Sequence, residues 1–286
     1  MLKSALSFFR QVRKNPLMLL GLSWIFLLTV VALFAPWIAP FPEDVVECHI
    51  EERSQSPSLT RLFGTDELGR DVFSRVVMGS RISLQVGMMV IGLALLIGMP
   101  LGVIAGYSGG IVDEVIMRVT DVFLSFPPLL LAMVISAVLG PNLINAMIAI
   151  SIAWWPWYTR LLRSEAISIK VSFYVEAAKA IGARKWRIIF RHVLPNSLAP
   201  IIIQISMDFG GIILTAASLS FLGLGAQPPT PEWGLMISVG RSLFLTSWWI
   251  ITLPGVAILL TVLAFNLLGD GLREILDPKL RRARRA

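Results

Sequence analysis

The chain has 286 residues, of which 56% are hydrophobic and only 15% charged, and its mean hydropathy of +0.76 is far above that of a soluble domain of its size. The net charge of +7 does not point to nucleic acid, because the basic residues sit at the ends of apolar runs, where anionic headgroups account for them. A soluble enzyme and a nucleic-acid-binding protein are both set aside in favour of a bilayer protein.

A helix needs roughly 20 apolar residues to cross a hydrocarbon core of about 30 Å. Pro16 to Pro42 carries no charge, so Leu17 to Ala39 is the first predicted span. Its apolar region is too long for a signal peptide and Ala35-Pro36-Trp37 is a poor cleavage context, so it reads as a retained anchor. Phe41 to Arg81 is a net acidic extramembrane stretch that holds the lone cysteine, Cys48, which can make no internal disulfide. Cys48-His49 beside Glu47, Glu51 and Glu52 has no second ligand cluster, and it is read as a solvated loop without metal.

Ile82 to Gly106 is the second uncharged run, and its glycines suit close packing against another helix. Nothing is charged from Val122 to Tyr158, a length that would exceed about 50 Å as one helix. It must fold back at Gly140-Pro141-Asn142, with the two helices extending through Arg118 and Asp121 on one side and through Arg160 and Arg163 on the other. Ser197 to Leu224, interrupted only by Asp208, is the fifth span and Ser242 to Gly269 the sixth. The expected architecture is an all-α polytopic membrane protein with six transmembrane helices.

Six spans put both ends on one side. Lys3, Arg10, Arg13 and Lys14 precede the first, and Arg273, Lys279, Arg281, Arg282, Arg284 and Arg285 follow the last, so both termini are predicted to be cytoplasmic. Arg160 to Pro195 carries eight basic residues against Glu165 and Glu176, which places it inside as well. Tyr107 to Asp121 runs against the rule, with Asp113, Glu114 and Asp121 against Arg118, yet parity keeps it cytoplasmic. The domain division expected is 1–79 for the N-terminal tail, first helix and outer loop, 80–270 for a five-helix core with a cytoplasmic loop at 170–195, and 271–286 for a basic tail.

Chemistry for bond making is missing. The two histidines, His49 and His192, fall on opposite sides of the membrane, and no GxxxxGK[ST] loop exists to cradle a nucleotide. Any energy for uphill transport must enter elsewhere. The cytoplasmic stretch EAAKAIGARKWRIIFRHVLP, Glu176 to Pro195, is the candidate docking surface. Ser172 is a candidate N-cap for a helix from Phe173 to Ile181 that Gly182 ends in the left-handed conformation. Ala177, Ala178 and Ala180 keep it slim, Glu176 suits its N-terminal turn, and Pro195 is expected to stop a second helix, Arg184 to Val193.

Asp208 lies about 16 Å into the fifth span, where a carboxylate faces protein or water. Two readings stand: it lines a polar path through the membrane and meets a cationic group, or it makes a structural pair or hydrogen bond with another membrane chain. Asp66, Arg70, Asp71 and Arg75 are spaced to pair along one helical face just outside the membrane, and Asp113, Arg118 and Asp121 are expected to form a similar network inside. The proline-rich loop Gln227 to Trp233 is read as rigid and outward, either a gate or a contact for a binding protein.

Glu176-Ala177-Ala178, Gly182 and Leu194-Pro195 resemble the EAA motif of type I ATP-binding-cassette importer permeases. The resemblance covers most of the chain, through GTDELGRD at 64–71, Gly106-Tyr107 with Gly109-Gly110, RHVLPN at 191–196, LSFLGLG at 219–225, QPPTP at 227–231 and DGLR at 270–273. Together these resemble the C-type permease of dipeptide, oligopeptide and nickel importers. The resemblance implies the type I permease fold and alternating access in a bacterial or archaeal cytoplasmic (inner) membrane. It implies a heterodimer with a B-type permease, two cytoplasmic ATPase subunits that use ATP and Mg, an extracytoplasmic solute-binding protein and a peptide cargo, with no cofactor bound by this chain. Glu176, Ala177, Ala178, Gly182 and Pro195 would then couple to the ATPase, and the 64–71 segment would sit at the outer mouth. Ala216 departs from the resemblance, since an acid is common there. Nickel, glutathione or oligosaccharide import stays open, and the different-class alternative is an ion-driven secondary transporter, which would be expected to show inverted repeats or several embedded acids.

Overall fold

The computed structural model describes residues 12–13 and 15–276, so most of both basic tails lies outside the described residues. Those residues are helical, with no strand beyond an isolated bridge between Thr65 and Asp71. Helix α1 is Pro16–Leu33, with the Asn15 side chain accepting from Met18 N and proline at the first position. The first span was expected to run unbroken to Ala39; instead it breaks at Phe34 and resumes as α2, Ala35–Ile38. Pro36 has no N–H to give and its ring crowds the preceding turn.

Helix α3 is Val72–Ser108, 37 residues, and starts ten residues ahead of the expected Ile82 because Asp71 caps it, accepting from Ser74 N at 2.7 Å. The 79/80 division therefore falls inside one helix. Gly109 and Gly110, both with positive φ, turn the chain into α4, Gly110–Leu124. The expected single helix through Arg118 and Asp121 is corrected: α4 and α5, Pro128–Leu139, are bent by 87° around Ser125–Pro127. Two consecutive prolines without N–H groups break the ladder there. The turn at Gly140 to Asn142 is where it was expected, and Asn142 caps α6, Leu143–Lys170, which carries Arg160 and Arg163 past the apolar stretch.

After α7, Phe173–Ala180, the chain runs through α8, Lys185–Ile188, a π-helical turn, Ile189–Val193, and α9, Leu194–Phe221. Pro195 does not stop a helix. The π turn widens the ladder so that Leu194 N bonds Ile189 O, which makes room for the proline ring, and Asn196 Nδ2 donates to His192 O at 2.6 Å. The sixth predicted span is shifted: Arg241–Leu243 forms a 3-10 turn after α10, Trp233–Gly240, and α11 is Trp249–Leu276.

Among the described residues four helices are long and apolar enough to span a bilayer, and the α4–α5 pair makes five if it counts as one span. Helix α6 is outside that set although it is 28 residues long, because Asn145, Trp154, Trp155, Pro156, Trp157 and Tyr158 dilute its apolar character. It is shielded by protein. A Cβ at Gly98, Gly102 or Gly106 would stand 2.6, 2.5 and 2.5 Å from the carbonyl oxygens of Trp155, Thr159 and Arg163, so α3 and α6 touch backbone to backbone, in register and running the same way. Thr159 Oγ1 adds a donation to Gly98 O at 3.3 Å. Because α3 and α6 are parallel, the α4–α5 pair must carry the chain back between them. Helices α1 and α11 pack antiparallel, with Gly271 against Met18 and Asn15 Nδ2 donating to Glu274 at 3.0 Å. Phe209 of α9 stacks on Phe265 of α11 at 4.2 Å in the central core.

Gly102→Ala should lower stability by about 1–3 kcal/mol through overpacking, whereas Gly92→Ala, with nothing within 4 Å of a new Cβ, should leave the melting temperature nearly unchanged. Thermal unfolding of the detergent-purified complex checks both.

Candidate functional site

Helix α7 hangs below the end of α6 on buried Val175 and Ala178, which join Leu162, Ala166, Ile169, Ile188 and Val193 in one cluster. Ser172 stands at the N-cap position, but its hydroxyl donates back to Ile169 O at 2.6 Å and does not cap. The other end is as expected. Gly182, at φ 80°, donates to Lys179 O at 2.9 Å and Ala183 N donates to Ala178 O at 3.0 Å, the paired bonds of a Schellman stop. Glu176 and Ala177 are exposed, and so are Phe173, at 90%, and Ile181, at 86%. Residues 173, 177 and 181 repeat every four and share a face, so the helix presents an apolar stripe with a carboxylate beside it. That spacing was present in the sequence, but the exposures mark Phe173 and Ile181 as members of the surface. Pro195 is exposed on the far side of the π turn, and Trp186 stacks on Phe190, both open to solvent.

Two acids that ran against the charge rule are neutralised from α6. Asp113 takes a bidentate pair from Arg163 at 2.5 and 2.7 Å, and Arg160 reaches Asp121 at 2.6 Å. The expected network of Asp113, Arg118 and Asp121 is corrected accordingly: Arg118 instead faces Glu114, at 3.5 Å.

Asp208 is partly buried on α9, where its Oδ1 accepts from Gln204 Nε2 at 3.0 Å. Its neighbours across the helix contact are Trp154 and Tyr158 of α6. Asp208 Oδ2 and Tyr158 Oη are both buried at that contact. Ala216, two turns on, is buried in the central core.

The outer charges do not share one helical face. Only Arg75 lies within α3; Asp71 is its cap, and Asp66 and Arg70 belong to a tight turn closed by Asp66 N to Arg70 O at 2.9 Å. Gly69 at φ 78° permits that turn. Asp66, Arg70 and Arg75 are nonetheless brought together and buried, whereas Asp71, buried as well, stands 3.9 Å from Arg61. Arg70 Nε meets Asp66 Oδ2 at 2.7 Å, Arg75 Nε lies 3.6 Å from the same oxygen, and Arg75 also donates to Val45 O and to Pro229 O at 3.3 Å. One guanidinium thus ties the 43–45 turn to the proline-rich loop. Asp44 and Glu52 hold Arg61 at 2.5 and 2.6 Å, His49 contacts Asp44 at 3.1 Å, and Cys48 is exposed. Glu232, which the sequence reading passed over, caps α10 by accepting from Gly234 N at 3.0 Å and Leu235 N at 2.8 Å; an acid directly before Trp-Gly was the available signal. Burial raises its carboxyl above the usual 4.5, against the lowering effect of those N–H groups. Burial and the Asp66 charge likewise raise Glu67.

Residues 98–282 match the binding-protein-dependent transport system inner membrane component, and residues 6–57 match the N-terminal TM domain of oligopeptide transport permease C. The chain belongs to this family of importer permeases. It is 49% identical to a dipeptide transport system permease of Alkalihalophilus pseudofirmus, over 96% of this chain and 89% of that one. It is 46% identical to a probable D,D-dipeptide transport system permease of Escherichia coli K12, over 94% and 89%, and 43% identical to a glutathione transport system permease of Pectobacterium atrosepticum, over 95% and 90%. An inward-facing methionine ABC transporter, MetNI, shares the fold at TM-score 0.59 and 17% identity, covering 72% of this chain and 97% of that one. The chain is a C-type permease subunit with the type I importer fold, a transporter component and not an enzyme.

Because the folded Glu232 carboxyl is raised, its contribution to stability is fullest below pH about 4.5 and is lost as pH rises through the folded value. Glu232→Gln keeps one of the two acceptors, should melt close to wild type at pH 7 and should flatten this part of the pH profile. Glu232→Ala should cost about 1 kcal/mol. Melting curves of the three proteins across pH check the sign.

Proposed function

We propose that this chain forms half of the path by which di- or oligopeptides enter a bacterial or archaeal cell across its cytoplasmic membrane, in a heterodimer with a B-type permease. The observation that carries the cargo is the 49% identity to a dipeptide permease across nearly the whole chain. Glutathione permeases stand a few points lower, at 43% and 44%, and glutathione is itself a small peptide. A solute-binding protein would deliver cargo at the outer face, and two ATPase subunits would use ATP and Mg below the membrane. The charge rule supports cytoplasmic termini, since the start of α1 and the end of α11 lie together, on the side where the arginine-rich 160–195 segment emerges.

Coupling runs through α7. Its exposed stripe of Phe173, Ala177 and Ile181 suits an apolar groove on an ATPase, Glu176 can accept hydrogen bonds there, and Gly182 holds the stop that fixes its angle. Nucleotide shifts the transporter only if it binds one conformation better than the other, so the surface must transmit that difference. In this mechanism the Asp208 carboxylate, set between Gln204 and the α6 aromatics, meets a cationic group on the cargo. The outer cluster of Asp66, Arg70, Asp71 and Arg75 holds the mouth of the path.

Gly182→Pro or Ala177→Trp should leave ATP hydrolysis by the assembled complex but cut peptide uptake in proteoliposomes by about tenfold or more. Binding-protein stimulation of the ATPase that survives both changes would remove α7 from the coupling route. Asp208→Asn should lower uptake with the four-subunit membrane assembly intact on size-exclusion chromatography; loss of assembly would make it a structural residue. Mass spectrometry of ligands retained by the cognate binding protein tests the cargo directly.

A further inference from the structure

A crevice of about 300 Å³ opens between α1, α3 and α11. Helix α1 lends Trp24, Leu27 and Val31 to its wall, α3 lends Val76, and α11 lends Leu253 and Ala257. Two hydroxyls in the wall, Ser80 and Thr261, already donate within their own helices, to Val77 O at 2.6 Å and Ala257 O at 2.7 Å. The Trp24 indole N–H is buried and has no acceptor. A buried water needs two to four polar partners, and this wall offers one free donor, so water is a poor occupant.

The three helices that bound the crevice are all long and apolar enough to span a bilayer, so the medium beside it is hydrocarbon. From Trp24 to Val31, the ends of its α1 wall, the helix rises about 10 Å, against about 15 Å for the hydrocarbon of one leaflet. The α1 wall thus lies within the depth of one leaflet. Its wall residues lie beyond the tight contacts of Gly21 with Ala264 and of Met18 with Gly271. The chain's own tails are poor candidates to fill it, because both join at the opposite end of α1 and α11, across the membrane from Ile38. It also lies between the two matched regions, residues 6–57 and 98–282.

We propose that an acyl chain of a membrane phospholipid, from the leaflet that borders the 40–71 loop, occupies this crevice and seals α1 against the permease core. The site selects the tail by shape and apolarity, leaving the headgroup outside among the residues of that loop.

The test uses the whole transporter in lipid nanodiscs that contain a phosphatidylglycerol with a diazirine at the end of one acyl chain. After irradiation, mass spectrometry should find lipid adducts on the Trp24–Val31 and Leu253–Ala257 peptides. Ala257→Phe, which fills the crevice, should reduce the Trp24–Val31 adducts by about tenfold, equal to roughly 1.4 kcal/mol of binding, with ATPase activity retained. Leu27→Phe fills it from the other wall and serves if the first variant fails to assemble. Adducts that are unchanged in the filled variant overturn the proposal, as does crosslinking of Trp24 to another protein chain in wild type.

Discussion

Backbone contact between α3 and α6 is the constraint on which the rest of this fold depends. Lipid tails are as apolar as leucine, so no hydrophobic force draws two helices together within a bilayer, and close packing must do so instead. At Gly98, Gly102 and Gly106 the carbonyl oxygens of α6 occupy the space that side chains would take. The contact repeats every four residues on both helices, which sets their register and their common direction. A parallel pair cannot be joined by a short loop, so the bent α4–α5 pair follows from it. The end of α6 is then fixed beneath α3, and α7 with it.

The same long helix joins both functional regions. Asp71 and Arg75 at the start of α3 belong to the outer charge cluster, while Val103 and Tyr107 near its end share a cluster with Val175 and Ala178 of α7. A displacement of α7 therefore meets a continuous, glycine-locked pair of helices whose other end carries Asp71 and Arg75. Buried ion pairs such as Asp66 with Arg70 are weak evidence of stability, since desolvation offsets much of their attraction. Their geometry is specific, however: Arg75 joins the carbonyl groups of Val45 and Pro229, 184 residues apart in sequence, and an apolar residue could not make those bonds. The crevice beside α1 shows the converse case, a gap that the protein leaves for its solvent.

Local signals were legible. Gly140-Pro141-Asn142 turned the chain where expected, because glycine supplies the positive φ and asparagine the cap. Gly182 stopped α7, while the exposed stripe at 173, 177 and 181 around the EAA residues emerged only from the exposures in the fold. Misreadings arose where one residue's preference met a neighbour's demand. Pro195 looked like a stop, yet a single π turn admits its ring. Asp66, Arg70, Asp71 and Arg75 had the spacing of a helical face, but a glycine at 69 let the chain turn back and pair them across a loop.

By itself the sequence determined the apolar runs and the places where the chain must turn, because each rests on the 1.5 Å rise of a helix or on the φ preferences of single residues. Only the tertiary structure decided that Arg160 and Arg163 neutralise Asp121 and Asp113, that Asp208 faces Trp154 and Tyr158, and that α4 and α5 bend by 87°. Those outcomes depend on what a second helix supplies at a given depth, and helices distant in sequence acquire a shared depth only when their backbones lock.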